Sequence, residues 1–298
     1  MRTKSGFALA LFYLCFLGQS FACDVCGCSS GPMGFNLMGD FQGHFIRYGY
    51  GQIQFTNPSA SAGPIKDIFK VQEIQGAYSL KKGFRLEAYL PYHTNLRNIG
   101  ETKQNLSGIG DLQIGANHTV WKKETKTGTE LQFDGALRSV LPTGKYHLEI
   151  HDLNLPENFN PGKGSFALIP RISFRIARGL FGINSGLAYR KNFHASDGYS
   201  FGDILLGQAH FYSKIQAQKF LFIPALGLVH EFIAADHYKN KNQVHGTGGR
   251  GTFLNPSIQI GFKSIRAGIF FQGPLQSQYS EGEAQAGNRF NFQLTYLF

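Results

Sequence analysis

The chain reads as an all-β protein, a transmembrane antiparallel up-and-down β-barrel of about 12 strands. Three observations predict this. Apolar and polar residues alternate with period two over most of the sequence after residue 40. The connections between the alternating stretches are short and long by turns. No apolar run after residue 22 approaches the roughly 18–20 residues that a membrane-spanning helix needs. Composition agrees: charged residues are only 16% of 298, with 28 Phe and 13 Tyr, which is too apolar and aromatic for a disordered chain. A coiled coil is excluded by the missing helical period.

Residues 1–22 read as a signal peptide. Arg2 and Lys4 precede the apolar run Phe7 to Leu17, and Ser20-Phe21-Ala22 supplies small residues for cleavage before Cys23. Acylation of Cys23 is the alternative, although Ser20 stands where a lipoprotein signal prefers Leu. The formal net charge is +10, partly from the leader, and the remaining Lys and Arg are scattered. Nucleic acid is therefore not expected as a partner.

Residues 23–40 form a Cys-rich periplasmic arm with a Gly/Pro/Ser-rich tether. Cys15 leaves with the leader, so Cys23, Cys26 and Cys28 are the mature protein's only cysteines. An odd count at such tight spacing is no disulfide framework. Three thiolates followed by Met33 and Met38 suit Cu(I) or Zn. Lipidation of Cys23 and a local disulfide remain as alternatives.

The barrel is expected over 41–298. Its strands fall at about 41–55, 68–80, 84–92, 109–121, 129–141, 164–177, 180–191, 201–214, 219–232, 252–262, 266–275 and 287–298. In the last of these Phe290, Phe292, Leu294, Tyr296 and Phe298 alternate with Arg289, Asn291, Gln293 and Thr295. Short connections are expected near 81–83, 122–128, 178–179, 215–218 and 263–265. Long ones are expected at 56–67, 93–108, 142–163, 192–200, 233–251 and 276–286. Short periplasmic turns and long outer loops are the arrangement of a bacterial outer-membrane barrel, with loops 142–163 and 233–251 outside.

Why a membrane rather than water? Twelve strands enclose too much space for an apolar interior to fill. Turning the apolar face to lipid removes the problem, and a closed ladder satisfies every backbone group. The polar face, with Arg47, Glu73, Arg190 and Arg289 among its charges, then lines the lumen. Arg85, Glu87, Asp111, Asp134, Arg138, Arg171 and Arg175 are its candidate selectivity lining, or else pairs that stiffen the wall. Tyr48, Tyr50, Tyr92, Trp121, Tyr189, Tyr212 and Tyr296 fit interfacial girdles.

The C-terminal Phe298, with Phe290, Phe292, Leu294 and Tyr296 at alternate positions before it, looks like the strand that such barrels present to their assembly machinery. Gly108-Ile109-Gly110-Asp111-Leu112 opens one strand, and Leu141-Pro142-Thr143-Gly144 leaves the next. Together with Phe201-Gly202-Asp203-Ile204 and Pro224-Ala225-Leu226-Gly227-Leu228, they resemble the outer-membrane transporters grouped with meta-cleavage phenol-degradation pathways. The Cys-rich opening resembles a Bacteroidota-type branch. The resemblance implies passage of a small solute and does not fix which.

Catalytic patterns are sparse. There is no Gly-x-Ser-x-Gly and no His-Glu-x-x-His. His147 and His151, with Glu149 and Asp152, lie in a Pro/Asn-rich loop and read as solvated. The expectation is an outer-membrane channel for small solutes, without catalysis and with no certain cofactor. Its partners are outer-membrane lipid, the assembly machinery and the solute. The alternatives are a structural or adhesive barrel with a plugged lumen, and a barrel-type hydrolase.

Overall fold

The computed structural model describes residues 43–298 except 59, 61–62, 82, 148–149, 151–154 and 240–241. The leader and the cysteine arm lie outside the described residues. Twelve antiparallel strands close into a barrel. They are β1 (Phe45–Asn57), β2 (Ile65–Lys81), β3 (Phe84–Ile99), β4 (Thr102–Ile109 continuing as Leu112–Glu124), β5 (Thr129–Leu141) and β6 (Ala167–Arg178). The second half is β7 (Phe181–Asn192), β8 (Ile204–Ser213 continuing as Ile215–Ala217), β9 (Phe220–Ile233), β10 (Gly249–Phe262), β11 (Ile265–Tyr279) and β12 (Arg289–Leu297). Each strand pairs with its neighbours in sequence, and β12 closes on β1 from Phe45↔Leu297 to Gln52↔Phe290.

The period-two pattern becomes two surfaces. On β1 the odd residues are buried and the even ones more exposed. Large apolar side chains such as Ile46, Ile74, Leu86, Ile114, Leu137 and Ile172 point outward, each more than 40% exposed. An apolar belt of this extent is stable only against lipid. Tyr48, Tyr92, Trp121, Tyr189 and Tyr296 stand on this outer surface. Tyr212 does not: it is buried, and Tyr50 is only half-exposed.

Two expected loops differ. Residues 93–108 are not a loop. β3 continues to Ile99, turns at 100–101, and returns as the first part of β4, paired from Ile99↔Thr102 to Tyr92↔Ile109. The connection after β1 is also shorter than 56–67, because β1 and β2 pair as far as Asn57↔Ile65. The short connections gather at one end of the barrel with the start of β1 and the end of β12, where the Phe298 N–H donates to the His44 carbonyl at 3.1 Å. The long connections gather at the other. We call these the turn end and the loop end.

The larger correction concerns the connection from β5 to β6, expected to project outward. It turns into the lumen at the loop end. Ile150, Leu155 and Phe159 are 3% exposed or less and join an apolar core with Phe55, Phe69 and Phe253. The lumen at this end is packed shut.

Candidate functional site: a lumen closed by its own loop

The plug is built on a break in the wall. β4 is interrupted at Gly110-Asp111, where the Gly110 N–H donates to the Pro91 carbonyl at 2.9 Å. The freed Asp111 carboxylate accepts two backbone N–H groups: Gly144 at the start of the plug (3.0 Å) and Lys163 near its end (2.8 Å). Thr143 Oγ1 accepts from the Leu112 N–H at 2.9 Å, and the Lys145 N–H donates to the Ile109 carbonyl. The chains approach so closely that a Cβ on Gly144 would sit 2.6 Å from the Gly110 carbonyl carbon and 2.8 Å from the Gly162 Cα. Only glycine fits there. Gly110-Asp111 and Pro142-Thr143-Gly144 are thus the two halves of one clasp.

Beyond the clasp the plug is held by the wall. Asn95 Nδ2 donates to the Phe159 carbonyl at 2.7 Å. The Arg97 guanidinium lies 4.9 Å above the Phe159 ring and makes two hydrogen bonds to Asp67, at 2.8 and 2.6 Å. Phe159 also meets Phe69 edge-on at 5.0 Å. Tyr146 ties the plug to the next loop through Asp197, at 2.7 Å. Burial, together with that carboxylate and Glu157, pushes the Tyr146 hydroxyl well above its ordinary pKa, so it stays a donor. Gly202-Asp203 repeats the clasp chemistry before β8. The Asp203 carboxylate accepts from the Asn192 N–H at 2.9 Å and from Tyr189 at 2.6 Å.

Below the plug the lumen is polar. Arg85 binds Glu87 at 2.7 Å, and Arg138 binds its other oxygen at 3.1 Å. Glu73 accepts from the Tyr89 hydroxyl at 2.6 Å, and Arg47 donates to Thr295 at 3.0 Å. Arg171 completes this belt of four arginines, which Glu73, Glu87 and Asp134 face. Nearer the turn end Arg175 pairs with Glu130 and donates to Gln132 at 2.8 Å. Asp134 accepts from Gln132 (2.8 Å) and Thr119 (2.6 Å).

All seven candidate lining residues therefore face the lumen, in different roles. Arg85, Glu87, Arg138 and Arg171 cluster at one level. Arg175 and Asp134 lie nearer the turn end. Asp111 is the plug's anchor. Arg138 pairs with Glu87 rather than with Asp134. Three cavities separate these groups: about 50 Å³ beneath the plug, and about 20 and 10 Å³ beside Arg171. Cys23, Cys26, Cys28, Glu149, His151 and Asp152 lie outside the described residues. Phe290, Leu294, Tyr296 and Phe298 face outward and Phe292 lies less exposed beside them, so the last strand's apolar stripe meets the lipid side.

The sequence missed the plug's interior contacts. Ile150, Leu155 and Phe159 are too few and too irregularly spaced to show a period. The one available signal was large apolar residues inside a Pro/Asn-rich connection.

No protein-family model matches the chain, and no curated protein matches it. Solved structures do. An outer membrane channel from Pseudomonas putida F1 aligns over 88% of this chain and 99% of its own, with TM-score 0.64 and 14% identity. The β domain of the Bordetella autotransporter BrkA aligns over 86% and 99%, with TM-score 0.51 and 12% identity. LpxR from Salmonella typhimurium aligns over 84% and 100%, with TM-score 0.45 and 7% identity. The expectation of a chain without catalysis does not stand, because a likeness of fold does not separate channels from enzymes. At these identities the likeness is one of fold alone. That fold is a closed twelve-stranded antiparallel barrel, shared with the outer membrane channel.

Proposed function

We propose that the protein is an outer-membrane channel for small polar solutes, closed in the described conformation by its loop 142–166. One observation carries this reading. The plug is clasped to the wall at both ends by polar bonds to Asp111, above a lumen lined with charge. A charged lumen behind a closure held by polar bonds is the arrangement a gated channel for polar solutes requires. Loops that fold inward are a known way to narrow a barrel. The belt's arginines outnumber the carboxylates that face them, which favours anions over cations. Solute flux into liposomes tests the reading. The full chain should give slow flux, and a variant with 146–161 replaced by a short Gly/Ser linker should be faster by roughly tenfold or more. No flux from either form would contradict it.

A structural barrel with a permanently filled lumen is the second reading, favoured by the tightly packed core at the loop end. It expects a full chain that passes no solute while the linker variant leaks. The cysteine arm keeps its own proposal, Cu(I) or Zn held by Cys23, Cys26 and Cys28. Mass spectrometry of the mature N-terminus before and after metal addition decides it, and a diacylglyceryl mass on Cys23 would overturn it.

A further inference from the structure

The cavity of about 50 Å³ beneath the plug is furnished for a ligand. Water alone needs about 10–15 Å³ per molecule, so the space takes several waters or one small organic molecule. Its lining is unusual in what it leaves unbonded. Asn158 is 2% exposed, and neither its Oδ1 nor its Nδ2 has a partner. Asn95, also 2% exposed, uses Nδ2 on the plug and leaves Oδ1 without one. A buried amide atom left without a hydrogen bond costs about 1–3 kcal/mol, and three of them line one hollow.

Charge adds a second condition. Lys163 and Arg190 both border the cavity and are 9% exposed or less. Lys163 Nζ donates to the Asn158 carbonyl at 3.0 Å, and Arg190 Nε donates to Asn192 at 2.7 Å. Both bonds go to neutral oxygens. The single carboxylate in the lining, Asp111, accepts the two backbone N–H groups of the clasp and acts on both cations from a distance, so two positive charges stand against one negative. Two buried cations thus face the hollow with spare donors and no ion-pair partner within bonding distance among the described residues. Phe69 and Val140 give it an apolar side.

We infer that this cavity binds a small hydroxycarboxylate of about two to four carbons, its carboxylate on Lys163 and Arg190. The carboxylate balances the excess positive charge. Hydroxyl groups donate to Asn95 Oδ1 and Asn158 Oδ1 and accept from Asn158 Nδ2. The short carbon skeleton rests on Phe69 and Val140. A neutral polyol leaves the cations uncompensated, and a plain fatty acid leaves the amides unbonded. The inference rests on the channel reading, in which the cavity is a halting place on the solute's path.

Titration calorimetry of the purified full chain in detergent, with glycerate as probe and glycerol and propionate as controls, tests it. Glycerate should bind saturably, with glycerol and propionate each weaker by about tenfold or more. Arg190→Met, in the wall, and Lys163→Met, which keeps the clasping N–H, should each weaken glycerate by about tenfold. Protection of the plug from protease shows that the variants remain folded. Glycerate binding no better than either control, or unchanged in both variants, would overturn the site and leave a cavity of ordered water. Binding without liposome flux would instead end the channel reading and keep the site; flux without binding would do the reverse.

Discussion

The two ends of the lumen fill the same barrel in opposite ways. At the loop end the interior is a protein core: Ile53, Phe55, Phe69 and Phe253 from the wall interlock with Ile150, Leu155 and Phe159 from the plug. Two ion pairs there are buried in that core. Arg97 is matched by Asp67, and Arg289 by Glu231 and Tyr279. At the turn end the interior is long polar side chains, with more guanidinium than carboxylate and small gaps between them. Dry packing keeps its shape through dispersion and burial and tolerates no missing volume. A charged, hydrated lining tolerates rearrangement, because water replaces a lost partner. Closure and selectivity are thereby given to different regions, and each can change without the other.

The comparison can be broken in steps. The largest effect is expected from replacing 146–161 with a Gly/Ser linker, which removes the dry region's central filling. Single-channel conductance should rise by roughly tenfold or more, and the current should prefer anions because the arginine belt is left intact. Conductance equal to that of the full chain would mean that the wall side chains close the pore alone.

Next come paired truncations, one in each region. Phe253→Ala empties a fully buried site under the Arg289 guanidinium, which lies 3.8 Å above the ring. It should cost about 3–5 kcal/mol. Gln259→Ala at the turn end should cost less than about 1 kcal/mol. The temperature at which heat-modifiable migration is lost measures both, and equal losses would erase the distinction between the regions.

A smaller effect is expected from Asp111→Ala. It strips the acceptor from two clasp N–H groups, at about 1–3 kcal/mol, and so raises the fraction of unclasped plugs by about tenfold or more. Protease added outside should then cut within 155–163, residues that are buried in the native protein. The smallest change is Arg171→Glu in the linker variant. It should move the reversal potential toward cations without altering conductance more than about twofold.

Much of the barrel was legible in the sequence, and the reason is physical. A strand between lipid and a polar lumen shows two chemically different faces, so Phe290, Phe292, Leu294 and Tyr296 announce their side by parity alone. Where both faces meet polar surroundings the signal fades. Thr94, Asn95, Arg97 and Asn98 therefore read as loop, although they continue β3. The plug escaped for another reason: its inward fold depends on partners more than 30 residues away, Asp111 for Gly144 and Asp111 for Lys163. Its motifs were visible and their meeting was not. Parity assigns the lumen charges to one face but is silent on height along the strand, so the level that brings Arg138 to Glu87 is not written in it.

The seam between β1 and β12 carries a consequence for the order of events during biogenesis. Arg47 donates to Thr295 across it, joining residues 248 positions apart in sequence. Every other wall contact is a hairpin between consecutive strands, formed by a short local search, whereas this one requires the two chain ends to find each other. Closure of the ring is therefore the slow step, and until it happens β1 and β12 expose two unpaired edges. An enclosed volume exists only after that step, so the plug acquires its berth last, on a ring already shut.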